Sequence, residues 1–349
     1  MRAGPTLGVA ARLFLRAPRP LLRAIAGPPR RSDLGEELDL GTQVMLAMME
    51  RLGMPTTDQL DVTEARAEFE ADMAMIAPHP LTVGRMEGRF VATDTGPIPL
   101  RVYWPRKRRS GLPMLVYYHG GGFVTGSLDT HDSVCGRFCL GADCIVVSVD
   151  YRLAPEHIFP AAVEDAERAL AWTFEHAAEL GGDAERVAVG GDSAGGNLSA
   201  VVSRRARDSG GRRPCFQLLV YPATDLTCAM PSHRSLGQGY FLTNETIDWY
   251  LSRYAPDPAT HRHPDASPLF ANDLSGLPPA LMVTTGFDPL RDEGARYFER
   301  LREAGVHAER QHEAGLVHGF LNMAPMVGAA SAAFDRIVGT TRRALHADP

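Results

Sequence analysis

The hydrophobic positions of this chain change rhythm as it is read from its first residue. Up to about residue 80 they recur at helical spacing between polar linkers. Residues 40–52 carry Val44, Met45, Met48 and Leu52 on one face, and residues 63–75 present Phe69 and Met73, with Ile76 just beyond. Apolar residues three and four apart predict two amphipathic helices. Pro78 and Pro80 then end helical structure, because proline lacks the backbone donor and clashes with the preceding turn. From about residue 88 the pattern shortens to strands. Residues 89–93 and 98–104 read as two strands joined by a turn at Asp94-Thr95-Gly96. The basic run at 106–109 is too short for a nucleic-acid patch and reads as a solvated turn.

Beyond it come continuous apolar runs at 114–118, 144–149, 187–189, 216–221 and 280–285, and a last strand at about 308–313. Runs without polar alternation suit strands buried on both faces of a parallel sheet. Helical stretches at 161–176, 194–208 and 291–304 separate them, and that alternation predicts a doubly wound α/β core. Residues 225–265 break the rhythm: Tyr240, Phe241, Trp249 and Tyr250 sit there without an evident sheet strand. This stretch reads as an insertion over the sheet edge near the active site.

Charge and composition narrow the function classes. A chain of 349 residues accommodates one large α/β domain with a smaller accessory piece. Its formal net charge of −6 offers no electrostatic footprint for nucleic acid. The five cysteines, Cys135, Cys139, Cys144, Cys215 and Cys228, follow neither a disulfide framework nor a zinc spacing, and read as free, partly buried thiols in a reducing compartment. Six arginines fall within the first thirty residues and interrupt every apolar run, so none approaches the length of a membrane span and the arrangement is a poor match to a secretory signal. Two readings stay open for that stretch: a basic amphipathic helix at a membrane surface or in a transit segment, or a helix packed on the rest of the protein. A cytoplasmic location is expected, with peripheral membrane contact as the alternative.

The candidate chemistry begins at Val187-Ala188-Val189-Gly190-Gly191-Asp192-Ser193-Ala194-Gly195-Gly196. An apolar strand runs into Gly-x-Ser-x-Gly and then into a small-residue helix, which is the pattern of a nucleophile elbow. Glycine is needed on either side of the serine because a Cβ there would collide with the neighbouring strand or helix. A second signal, His119-Gly120-Gly121-Gly122-Phe123, directly follows a strand. Consecutive glycines let backbone amides point into a pocket, so the amides of Gly121, Gly122 and Ala194 are the candidate oxyanion donors. A serine nucleophile needs a base and the base needs an orienting acid. Asp288 falls just past the C-terminal end of the strand at 280–285. His318 falls on the loop after the last strand, whereas His312 sits inside that strand and is the weaker choice of base. Asp292 and Glu293 read as the acidic first turn of a helix, and His157 reads as structural. His261 and His263 form at best a weak metal pair without a third ligand. Met45, Met48, Phe241 and Trp249 are candidates for lining the acyl or alcohol side of a pocket, or for core.

These motifs, with Asp150-Tyr151-Arg152-Leu153-Ala154-Pro155-Glu156, Asp288-Pro289-Leu290-Arg291-Asp292-Glu293 and His318-Gly319-Phe320, make residues 85–345 resemble the hormone-sensitive-lipase-like carboxylesterases of the α/β-hydrolase fold. The resemblance implies an eight-stranded, mostly parallel sheet, and a cap built from the N-terminal helices and the insertion after Tyr221-Pro222-Ala223. The expected organisation is a helical segment at 1–80 contributing to the cap, core at 81–224, cap insertion at 225–265 and core again at 266–349. The segment 150–156 is expected to be a structural crossing. The resemblance implies a serine esterase acting on short- to medium-chain acyl esters, with Ser193, Asp288 and His318 catalytic and no metal or organic cofactor. The alternatives are a non-catalytic small-molecule receptor on the same fold, or an amide, carbamate or lactone hydrolase with the same triad. The expected partner is a small-molecule ester, with a homodimer left open. The arginine-rich N-terminus is longer than the family needs.

Overall fold

The computed structural model describes residues 12, 14–77, 81–107 and 109–347. Pro78, Pro80, Arg108 and Arg2 therefore lie outside the described residues. Eight strands form one sheet: β1 (Arg85–Val91), β2 (Ile98–Trp104), β3 (Leu112–Tyr118), β4 (Ile145–Val149), β5 (Gly182–Asp192), β6 (Gln217–Val220), β7 (Ala280–Phe287) and β8 (Ala308–Val317). Their order across the sheet is β1-β2-β4-β3-β5-β6-β7-β8. β1 and β2 pair antiparallel, as do β2 and β4, and the remaining pairs are parallel.

The continuous apolar runs became the buried strands for the expected reason. Every residue of β3, β4, β6 and β7 is buried. Successive side chains point to opposite faces, and the two faces of β3 show it. Met114, Val116 and Tyr118 join one cluster, with Val163, Ala166 and Leu170 of helix Ala161–Leu180 and Leu198 and Val201 of helix Ala194–Asp208. Leu115 and Tyr117 join another, with Phe138 of helix Asp132–Ala142 and Phe334 and Ile337 of helix Gly328–His346. Helices thus cover both faces, as a parallel sheet requires.

The chain runs from β3 to β4 on one side, then crosses to β5 on the other side of β3. Strand order reverses there, and in open α/β sheets ligands bind beyond the carboxyl ends of the strands at such a point. The register pairs Tyr118 with Gly191. The loop after β3 and the turn after β5 are therefore neighbours.

Several boundaries differ from those predicted. β1 begins at Arg85, not at residue 89, and β5 begins at Gly182, where Leu112 pairs with it ahead of the apolar run. β8 continues to Val317. Helices Asp132–Ala142 and Gly328–His346 were not assigned from sequence. The insertion contains helices Pro231–Leu236 and Asn244–Tyr254. In the arginine-rich stretch, helix Arg19–Ala26 buries Leu22 and Ala26 against Leu40 and Val44. Among the described residues no helix is long and apolar enough to cross a membrane.

Candidate active site

Strand β5 ends at Asp192 and the next helix begins at Ala194, so Ser193 alone makes the turn. Its φ of 56° and ψ of −118° lie in a region that L-residues rarely adopt, a strain held by the elements on either side. The flanking glycines allow it. A Cβ on Gly191 would collide with the backbone of Gly195 and with the carbonyl of Tyr118, and a Cβ on Gly195 would enter that same carbonyl. The Ser193 amide donates to Val220 O at 2.9 Å, which pins the turn to β6.

The other two candidate side chains arrive from the ends of β7 and β8. His318 follows β8 directly and Asp288 follows β7 directly. The Ser193 hydroxyl lies 2.9 Å from His318 Nε2, and His318 Nδ1 lies 2.9 Å from Asp288 Oδ2. Asp288 is fully buried and accepts two further hydrogen bonds, from the Thr285 hydroxyl at 3.2 Å and from the Leu290 amide at 2.8 Å. With Asp288 accepting from Nδ1, His318 presents Nε2 to the serine hydroxyl as an acceptor. His312 is elsewhere: its ring bridges Thr284 Oγ1 at 2.9 Å and Glu36 Oε1 at 2.8 Å.

The glycine loop faces the serine. Gly121 and Gly122 have φ of 118° and 60°, and a Cβ on Gly122 would fall inside the ring of Tyr250. The amides of Gly121, Gly122 and Ala194 make no hydrogen bond among the described residues. The loop is held from below by Asp192, whose carboxylate accepts from the Gly120 amide at 3.1 Å and the Tyr117 hydroxyl at 2.8 Å, with His131 Nε2 at 3.3 Å. Burial alone would raise the Asp192 pKa, but the neighbouring His131 and the hydrogen bond from Tyr117 outweigh it and hold the carboxyl below its usual range. His119 is fully buried, stacks on Tyr151 and has Nδ1 2.7 Å from Gly120 O. Burial, with His131 nearby, pushes its pKa down to about 3. Sequence reading passed over this network, although Asp192 and His119 stand inside the two motifs. The crossing at 150–156 supports the same loop, since Tyr151 donates to His119 O at 2.7 Å.

Above the serine lies a cavity of about 1410 Å³. It reaches Ser193, His318, Gly121, Gly122 and Ala194, and it draws walls from residues 14–76, 223–251 and 318–326. Among the described residues eight methionines line it. Met45, Met48 and Phe241 are among the lining residues, but Trp249 is not. Its ring is buried beside Leu60, with Nε1 donating to Leu60 O at 3.2 Å, while Thr246, Ile247, Tyr250 and Leu251 of the same helix line the cavity. Glu293 also departs from expectation. Beyond its place in a helical first turn, it is fully buried and accepts from the amides of Thr224 and Asp225 at 2.7 and 3.1 Å and lies 2.9 Å from His233 Nε2. It thereby anchors the start of the insertion. Asp72 lies on the cavity wall, where burial, with Glu68 one turn away, pushes its pKa up to about 6.

His157 is exposed, and the rings of His261 and His263 bond to backbone, at Ala255 O and the Asp265 amide. Among the described residues no group of three or more His, Cys, Asp or Glu is placed to hold a metal ion. All five cysteines are free, and Cys135, Cys139 and Cys144 are buried.

With this geometry in view, the similarities to known proteins are informative. The family described as alpha/beta hydrolase fold matches residues 115–322. The carboxylesterase NlhH of Mycobacterium tuberculosis is 49% identical over 274 residues, covering 77% of this chain and 86% of that protein. The carboxylic ester hydrolase LipN of the same organism is 41% identical over 347 residues, covering 97% and 92%. Among solved structures, an ester hydrolase from the metagenome of Lake Arreo, complexed with a derivative of bipyridine phosphonate, superposes with a TM-score of 0.84. It is 39% identical and covers 87% of this chain and 98% of its own.

Proposed function

The chain belongs to the α/β-hydrolase fold family and is a carboxylic ester hydrolase, and on that premise we propose that it cleaves short- to medium-chain acyl esters through an acyl-enzyme on Ser193. The observation that carries this reading is the unbroken relay from Asp288 through His318 to Ser193, both links 2.9 Å, opening into a large apolar cavity. Ser193 Oγ attacks the ester carbonyl carbon while its proton passes to His318 Nε2. The carbonyl oxygen becomes an oxyanion and is received by the amides of Gly121, Gly122 and Ala194, each such donor being worth about 2.7–4 kcal/mol. His318 then returns the proton to the departing alkoxide, the C–O bond breaks and the alcohol leaves. A water molecule repeats the cycle: His318 takes its proton, the hydroxide attacks the acyl carbon, and Ser193 leaves with the proton restored. Asp288 stays ionised throughout and stabilises the imidazolium formed in each half. In this reading residues 1–80 and 225–265 act together as a cap that closes over the acyl group and limits its length.

Hydrolysis of a p-nitrophenyl ester series from acetate to palmitate, by wild type and by Ser193→Ala, tests the proposal. Activity that peaks at a short or medium chain and is lost in the variant is expected. Full activity in Ser193→Ala would overturn the role given to that residue, and a peak at palmitate would overturn the chain-length assignment.

A further inference from the structure

The cavity is larger than a short acyl chain requires. Small-molecule sites generally enclose about 300–1,000 Å³, whereas this one reaches about 1410 Å³. The reaction assigns directions within it. Of the three groups on the carbonyl carbon, the oxygen must face the amides of Gly121 and Gly122. The leaving oxygen must face His318 Nε2, which protonates it. The acyl chain takes the direction that remains.

The walls differ on these sides. The short helix Phe320–Met323 begins two residues after His318, so the histidine shares its segment with Met323 and Met326. Leu15, Met45, Met323 and Met326 belong to one packed cluster, and Leu15 also packs with Phe14 and Met48. The insertion supplies other walls: Leu242, Ile247 and Leu251 cluster with Ala223, Tyr250 lies against Gly122, and Phe241 reaches Gly319 beside His318. Methionine is unbranched and polarizable, and it adapts to apolar groups of varied shape.

Building on the mechanism above, we propose that the lobe walled by Met45, Met48, Met323 and Met326 is the leaving-group site, and that it accepts esters of bulky or long apolar alcohols. The arginine-rich N-terminal stretch then has a definite role: through Phe14 and Leu15 it completes the wall of this lobe. Met48 is half-buried with its side chain on the cavity, so a larger side chain there enters open space instead of a packed core.

The test uses the full chain and two matched ester series followed by pH-stat titration. One holds butyrate and lengthens the alcohol from ethyl to decyl. The other holds ethanol and lengthens the acyl group from butyrate to dodecanoate. Wild type is expected to show a kcat/KM for decyl butyrate at least about tenfold above that for ethyl butyrate, in line with the discrimination that added apolar carbons bring in a fitting pocket. Met48→Trp and, independently, Met326→Trp are expected to cancel that gain and to lower kcat/KM for decyl butyrate at least about tenfold more than for ethyl dodecanoate. Loss confined to the long-acyl series in the variants would show that the lobe holds the acyl chain and overturn the proposal. So would a wild type indifferent to alcohol length, or equal loss in both series. Wild type inert even toward ethyl butyrate would instead count against the esterase mechanism on which the proposal rests.

Discussion

Replacing Asp288 by asparagine probes the relay through the hydrogen-bond count around one carboxylate. Its two oxygens accept three hydrogens: from His318 Nδ1 and the Thr285 hydroxyl at Oδ2, and from the Leu290 amide at Oδ1. Asparagine is nearly isosteric but brings one acceptor oxygen and one NH₂ donor. With the amide oxygen kept toward Leu290, the NH₂ faces His318 Nδ1, which must then accept. The imidazole proton moves to Nε2, and the atom 2.9 Å from Ser193 Oγ can no longer take the serine proton. With the amide turned over, two N–H groups meet at the Leu290 amide, an unsatisfied and buried clash worth about 1–3 kcal/mol. The first arrangement is therefore favoured, and it is the inactive one. The tautomer preference of about 1–3 kcal/mol removes roughly 5–150-fold of kcat, and loss of the carboxylate charge beside the imidazolium adds to it, toward the about 10⁴-fold that the corresponding change costs in serine proteases; a loss of at least about 10²-fold is expected here. The assay is kcat on p-nitrophenyl butyrate at pH 8, with circular dichroism to show that the variant is folded. A folded Asp288→Asn enzyme retaining more than about a tenth of wild-type kcat would refute the tautomer argument.

Three further outcomes follow from other contacts. Gly122→Ala places a methyl inside the Tyr250 ring at a φ of 60°, so the loop must shift; kcat on the same ester should fall about 10²–10³-fold, with stability lowered by about 1–3 kcal/mol in urea unfolding, and unchanged kcat in the folded variant would remove Gly122 from the oxyanion site. His119 has a folded pKa of about 3 against an ordinary 6.5, so the unfolded chain binds the proton first and stability is lost as pH falls below 6.5. Between pH 7 and 4.5 this single group should cost about 2.5 kcal/mol in urea unfolding, and His119→Phe should flatten that slope. Asp72 has the opposite sign: its folded pKa of about 6 exceeds the ordinary 3.8, so its charge destabilises the fold above pH 6. Asp72→Asn should therefore stabilise the protein at pH 8 by about 1–2 kcal/mol after allowance for solvent screening, with the gain fading as pH falls from about 6 to about 4; destabilisation at pH 8 would contradict the assignment.

What could be read from sequence divides along physical lines. The strands were legible because burial on both faces leaves runs such as Ile145–Val149 without polar interruption. The positions of Ser193 and the glycine loop were legible because each turn requires glycine for reasons local to the chain. Asp288 and His318 could be chosen over their neighbours because chemistry places them just past strand ends, while His312 and Asp292 fall within a strand and a helix. Helix Asp132–Ala142 escaped because its inward positions include Cys135, Gly136 and Cys139, which blur the contrast between its faces. The cavity escaped for a different reason. Met48, Ile247 and Met326 are far apart in sequence, and each looks like ordinary core within its own helix or loop. Trp249 and Tyr250 are adjacent aromatics on one helix, and only packing decided which of them met the cavity. Glu293 looked like a helix-start acid because the partners that bury it come from residues 224–233.

The central claim is that Ser193 forms the covalent intermediate, and covalent capture tests it most directly. The full chain is incubated with a p-nitrophenyl alkylphosphonate, p-nitrophenolate release is counted, and the modified residue is mapped by peptide mass spectrometry. The account predicts one p-nitrophenolate per chain, one phosphonyl adduct on the peptide carrying Ser193, parallel loss of ester hydrolysis, and no adduct in Ser193→Ala. An adduct on another residue, or hydrolysis that persists once Ser193 is fully modified, would contradict it.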